Sequence, residues 1–349
     1  MKRRRLGQTD LTLPIISFGA SSLGHAFGYV SFDAGQKALR AALGSGINHF
    51  DTSPFYGRGV SEVMLGIALK GVPRDEYTIS TKLGRYDEDK FDFRPNRVVE
   101  SVDTSLFRLG VEYLDIVFLH DVEFTDYRRS IDQALPALLR ERDKGKVRYV
   151  GIAGYPFRPL LYALDAFDID VTLNYNHYTL QNRRLVNEIL PLLNERGVGV
   201  LNAAPFAQRL LTHVELPPWH PADAPTREAC RQVVLYCEEK GINPAKLCVQ
   251  FSTRHSALTT CVIGTGNPEN VREWVEWLDN PFDAEAVCQI EEILAPVLDR
   301  NAIFGLPENN DPIVGPIPFP HSGQPLDGAP HHRDRVGTIR AAAPSTRSN

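Results

Sequence analysis

Short apolar runs rich in β-branched residues recur along the chain, and the stretches between them repeat their apolar positions at the helical period. The runs are IISFGAS (15–21), INHFDTS (47–53), YTISTKL (77–83), LDIVFLHD (114–121), VRYVGIAG (147–154), VTLNYNHY (171–178), VGVLNAAPF (198–206) and TTCVIGTG (259–266). This pattern predicts helices between them at 33–43, 61–69, 95–109, 131–144, 158–166, 183–195 and 227–240. Boundary chemistry agrees, since Pro95 opens one segment and Gly145, Gly197 and Gly241 close others. Alternation of this kind gives an α/β protein with a parallel sheet. Packed into about 250 residues, the eight units fit a (β/α)8 TIM barrel better than an open doubly wound sheet of about six strands.

Three features exceed a bare barrel. The first run is preceded by RRRLGQTDLTL, which reads as a β-hairpin plugging the barrel floor. Two helical segments, 227–240 and 244–255, lie between the last two strands, and another, 284–294, follows the eighth unit. Beyond Asn301 the chain turns to Pro, Gly, His and Arg, a composition that cannot order itself independently. The expected division is a barrel domain over 1–300 and a partly flexible tail over 301–349. The first part of that tail is expected over the barrel mouth, with residues after about 325 mobile or in contact between subunits.

Composition narrows the function classes. Of 349 residues, 43% are hydrophobic and 23% charged, which is ordinary for a globular protein. The formal charge of −5 is spread without basic clusters beyond Lys2 to Arg5, which argues against nucleic acid as a partner. No run approaches the length of a membrane span, and the basic N-terminus lacks the apolar core of a signal peptide. Cys230, Cys237, Cys248, Cys261 and Cys288 form no C-x-x-C pair, so neither a disulfide framework nor a metal site is indicated. A cytoplasmic monomer or small homo-oligomer acting on a small molecule is the expectation.

Active sites of such barrels gather where the strands end at their C-terminal side. Asp51 ends the second strand, Tyr56 follows it, Lys82 ends the third and His120 ends the fourth. Any one of these is unremarkable at a strand end. Together they would cost desolvation unless they paired with one another.

FDTSPFYGRGVSEVMLGIAL (50–69), with its D-x4-Y-G-x-x-x-SE pattern, STKLG (80–84) and RLGVEYLDIVFLHD (108–121) resemble the aldo-keto reductase superfamily. The resemblance extends to about residue 300. It implies a barrel that holds an extended nicotinamide dinucleotide without a G-x-G-x-x-G motif, which the chain lacks. It also implies that Tyr56 is the acid or base, that Lys82 lowers its pKa, that Asp51 fixes Lys82, and that His120 orients the substrate oxygen. Cofactor contacts carry over to Gly19, Ala20, Ser21, Asp51, Asn174, Pro205, Phe206, Ile263, Gly264, Thr265, Gly266, Asn270 and Glu273.

Several positions depart from the family pattern. Gly264 and Asn270 stand where many NADP-dependent relatives place a Lys and an Arg, so NAD is favoured over NADP. A Ser-Asn pair that binds the carboxamide is Ala153-Gly154 here, and the ring-stacking aromatic is Ala203. Those changes pass carboxamide binding to Asn174 and packing to Phe206.

LHDVEF (119–124), GIAGYP (151–156), LNAAPFAQRLLT (201–212) and LPPWHPAD (216–223) resemble the L-galactose and L-fucose (D-threo-aldose) dehydrogenases of this superfamily. The implied reaction is oxidation of a free aldose at its anomeric carbon, with Ser22, Phe55, His120 and Asp121 near the substrate. Asp121 could equally cap a helix, and Trp219 reads better as packing the insertion onto the barrel. A reductase of another carbonyl compound, a pyridoxal dehydrogenase and a cofactor-binding regulatory subunit are the alternatives.

Overall fold

In the computed structural model, which describes residues 1–317, the apolar runs close into a barrel of eight parallel strands. The N-terminal hairpin comes first, β1 (Arg3–Arg5) pairing antiparallel with β2 (Thr12–Pro14). The barrel strands are β3 (Ile16–Gly19), β4 (His49–Asp51), β5 (Thr78–Leu83), β6 (Leu114–His120), β7 (Val147–Gly154), β8 (Val171–Tyr175), β9 (Gly199–Ala203) and β10 (Thr260–Ile263). β10 pairs with β3 and closes the ring.

The hairpin does what the sequence implied. Leu6, Leu11 and Leu13 are buried with Ile116, Phe118, Val171, Leu173, Leu201 and Val262, so apolar side chains fill the barrel interior from the floor upward. Outside it lie α1 (Phe32–Gly44), α2 (Val60–Leu69), α3 (Pro95–Leu109), α4 (Tyr127–Asp143), α5 (Phe157–Ala166) and α6 (Leu190–Arg196). They are followed by α7 (Ala224–Glu239), α8 (Pro244–Arg254), α9 (Pro268–Asp279) and α10 (Ala284–Leu294).

Helix starts differ from the expected ones where a capping side chain takes over. Asp126 accepts from the Arg129 amide and starts α4 at Tyr127 rather than 131, and Asp223 accepts from the Thr226 amide and starts α7 at Ala224 rather than 227. The segment expected as one helix at 183–195 opens with a wide π turn, Leu185–Ile189, ahead of Pro191, which has no N–H to continue the regular ladder.

Residues 301–317 run over the C-terminal ends of β6 to β8. Asn309 donates to the carbonyls of Glu123 and Thr125, Asn301 meets His177 and Asn182, and Phe304 packs on Tyr155 with ring centroids 4.4 Å apart. The expectation for residues after about 325 lies outside the described residues. Among the described residues no helix is long and apolar enough to cross a membrane.

Candidate active site

The C-terminal ends of β4, β5 and β6 bring the four singled-out residues together. Lys82 Nζ donates to Asp51 Oδ2 at 2.5 Å and to the Thr52 carbonyl at 2.9 Å, with both charged side chains almost fully buried. Ser80 supplies a further hydrogen bond to Asp51 Oδ1 at 2.7 Å and lies 3.2 Å from His49 Nε2. Burial and the Lys82 charge hold His49 neutral, with a pKa lowered to about 3. The Lys82 ammonium is therefore fixed by a carboxylate that is itself braced.

Tyr56 sits on the open side of this pair. Lys82 Nζ lies 4.8 Å from its ring centroid, close enough for the lysine charge to act on the phenol. Burial works against the Lys82 charge, but Asp51 and Tyr56 outweigh it and raise the lysine pKa. For Tyr56 the balance goes the other way: desolvation raises its pKa more than Lys82 lowers it. The lysine was expected to bring the phenol toward neutrality; here it offsets only part of the cost of burial, and the phenol stays protonated.

His120 stands edge-on to Tyr56, ring centroids 5.9 Å apart, and Phe55 packs at 6.0 Å from both rings. Its Nδ1 faces Ser53 Oγ at 3.3 Å and its Nε2 faces Asp121 Oδ2 at 3.4 Å. Desolvation, with Lys82 and Arg85 nearby, lowers its pKa well below the usual value, so the ring is neutral. A buried acid, a cation and a neutral imidazole around one opening are what proton transfer at an alcohol or carbonyl oxygen requires.

Asp121 does not cap a helix through its side chain. It follows β6 in the left-handed region, φ 52, and pairs with Arg85 Nη1 at 2.7 Å. Its Oδ1 is buried without a hydrogen-bond partner, as is Oε2 of Glu123. Burial and the Asp121 charge push the Glu123 carboxyl up to about 8. Arg85 and Glu123 were not singled out from the sequence. The available signal was that Arg85 follows β5 and Asp121 follows β6, two neighbouring strands.

The positions expected at a cofactor divide into two groups. Gly19, Ala20, Ser21 and Ser22 leave β3, and Ile263, Gly264, Thr265 and Gly266 leave its neighbour β10. A side chain on Gly264 would collide with the Gly19 carbonyl at 2.3 Å, and buried Ser22 Oγ, which has no partner, points toward the same place. Asn267 caps α9, which starts just after this loop. Thr265 Oγ1 accepts from Asn270, Arg272 is paired with Glu269, and Glu273 lies exposed on α9.

The other three expected contacts, Asn174, Pro205 and Phe206, lie on β8 and just after β9. Asn174 donates its amide hydrogens to the carbonyls of Gly154 and Tyr155, and its Oδ1 accepts from His177 Nδ1, so the side chain braces the ends of β7 and β8. Pro205 and Phe206 lie in a strained turn after β9, where Ala204, Ala207, Gln208 and Arg209 all have positive φ. Arg209 ties this turn to the Phe27 carbonyl across the mouth, and Trp219 packs on Phe27 at 5.8 Å, holding the insertion to the barrel.

Comparison with known proteins agrees with this arrangement. The aldo/keto reductase family model matches residues 15–295. L-galactose dehydrogenase of Arabidopsis thaliana is 39% identical over 88% of this chain and 98% of its own, and D-threo-aldose 1-dehydrogenase of a Pseudomonas species is 28% identical over 76% and 90%. The holo form of an aldo-keto reductase from Bacillus halodurans superposes with a TM-score of 0.70 at 26% identity, covering 84% of this chain and 96% of that one. The chain belongs to the aldo/keto reductase family, whose members are oxidoreductases that use nicotinamide cofactors.

Proposed function

We propose that this enzyme oxidises the anomeric carbon of a free aldose of the L-galactose, L-fucose or D-arabinose type to the corresponding lactone. The observation that carries the reading is the assembly of buried Asp51, Lys82 and His120 with half-buried Tyr56 at one opening of the barrel. The likeness to aldose dehydrogenases supports a sugar as its substrate.

The residues at the ends of β3 and β10 fit a dinucleotide: Gly264 lets the two strand ends close together, the buried Ser22 Oγ beside them has no hydrogen-bond partner, and α9 starts just beyond. Gly19, Ala20, Ser21, Gly264, Thr265, Gly266 and Asn270 would hold it. A bound nicotinamide supplies the hydride acceptor in this chemistry. No cation among the described residues stands free on this loop, because Arg272 is paired with Glu269, and NAD is the favoured form.

Neutral His120 would orient the anomeric hydroxyl, and Tyr56, once its own hydroxyl proton has passed to solvent, would take the substrate's hydroxyl proton as the carbon gives up its hydride. Lys82 stabilises the phenolate that this requires, and Asp51 keeps the ammonium in place. The ring oxygen of the sugar is retained, so the product is a lactone.

The test is an initial-rate panel of L-galactose, L-fucose, D-arabinose, D-galactose, D-glucose, pyridoxal and simple aldehydes with each cofactor. The first three share configuration at C2, C3 and C4, and should react with comparable kcat/KM, with NAD ahead of NADP. D-galactose and D-glucose should be poor. Turnover of pyridoxal or simple aldehydes with no aldose oxidised would overturn the sugar reading and leave the family assignment standing.

A further inference from the structure

Arg85 is an unusual arginine for this site. Its guanidinium lies 4.0 Å from the Phe55 ring centroid, 4.5 Å from that of Phe124 and 5.4 Å from that of Phe91. Among the described residues its hydrogen bonds go to Asp121 alone, through Nη1, and its Nε is buried with no acceptor. Aromatic faces attract the cation but accept no strong hydrogen bond. The side chain keeps 13% of its surface open, so the guanidinium still reaches the mouth.

Its partner carries the complementary vacancy. Asp121 is 5% exposed, with Oδ2 on Arg85 and Oδ1 on nothing, and Oδ2 lies 3.4 Å from His120 Nε2. Spare donors and a spare acceptor therefore stand side by side, directly beyond the imidazole. Buried polar groups left this way are costly unless something fills them.

We infer that Arg85 and Asp121 together read two adjacent hydroxyls of the substrate, the guanidinium donating to one oxygen and the carboxylate accepting the proton of its neighbour. This rests on the aldose reading above and deepens it by naming a specificity-determining residue, Arg85. With the reacting oxygen held between Tyr56 and His120, the next hydroxyls along the sugar fall on the Asp121 side of His120. The charge of the pair is already balanced. An anionic substrate would meet Asp121 as well as Arg85 and gain little, whereas a neutral polyol uses both partners.

The experiment compares wild type, Arg85→Met and Arg85→Lys on D-arabinose, on 2-deoxy-D-ribose, which is the same sugar without its C2 hydroxyl, on butanal in the reductive direction and on glyceraldehyde 3-phosphate. Wild type should prefer D-arabinose over its 2-deoxy form by about 100-fold or more in kcat/KM. Arg85→Met should lose about as much on D-arabinose, change less than about threefold on butanal, and largely erase the 2-deoxy penalty. Arg85→Lys keeps the Asp121 ion pair and should reduce butanal as wild type does, but should not restore the D-arabinose preference.

Equal losses on butanal and D-arabinose would overturn the inference and make Arg85 structural. An unchanged 2-deoxy penalty in the variants would also overturn it, as would a loss confined to the phosphorylated aldehyde. If wild type oxidises no aldose, the aldose reading falls and takes this one with it; aldose turnover that ignores Arg85 removes this inference alone.

Discussion

Strand β6 has a buried carboxylate at each end, and the fold treats the two in opposite ways. At the floor, Asp115 Oδ2 accepts from Arg74 and from the Ile79 amide and Oδ1 accepts from Arg148, so both oxygens are engaged. At the mouth, Asp121 has one oxygen on Arg85 and the other on nothing, in a left-handed backbone conformation. A saturated carboxylate stitches β5, β6 and β7 together. An unsaturated one is kept at a cost to stability, the signature of a group held for a ligand.

The largest expected effect at the mouth is that of Tyr56→Phe. Deleting the hydroxyl removes the proton carrier and leaves the ring packing, so kcat should fall by at least about 100-fold, with the melting temperature unchanged. Residual activity with an unaltered pH profile would remove Tyr56 from the chemistry.

The carboxylate comparison itself is broken or upheld by a pair of variants. Asp115→Ala leaves Arg74 and Arg148 without their buried partner and should destabilise the fold by roughly 1–3 kcal/mol, read by denaturant melts, with kcat of the folded enzyme unchanged. Asp121→Asn keeps the shape of the side chain and a hydrogen-bond acceptor for Arg85 but gives up the ion pair, so it should cost less stability than Asp115→Ala, while aldose kcat/KM falls well below that for a small aldehyde. Equal stability losses in both variants would erase the distinction between floor and mouth.

A smaller effect sharpens it. Glu123, beside Asp121, holds its proton up to about pH 8 in the folded chain, against an ordinary value of 4.5. Between those values the folded state binds more protons than the unfolded one, so stability falls as pH rises through this window and levels off above it. Glu123→Gln removes that slope. The variant's melting temperature should gain on wild type from pH 5 to pH 8, and a constant difference would show that Glu123 is ionised in the native state.

The barrel, the floor hairpin and the grouping of Tyr56 with Asp51, Lys82 and His120 were legible in the chain. Apolar periodicity is local, and a barrel places residues that end successive strands at one opening whatever the details. That is why Asp51, Lys82 and His120 could be grouped from their positions alone, and Tyr56 by its fixed distance from Asp51. Tertiary structure alone decided the partners. Whether Asp121 caps a helix or meets Arg85, 36 residues away, depends on the stagger between β5 and β6. Asn174 was read as a ligand contact because its residue type suits one, but the ends of β7 and the nearby His177 claim all of its amide. The protonation of Glu123 and of Tyr56 follows from how completely water is excluded, and burial at a given atom is a sum over side chains from many elements. Sequence order fixes which residues reach the opening; three-dimensional packing fixes which of their polar atoms are left for a substrate.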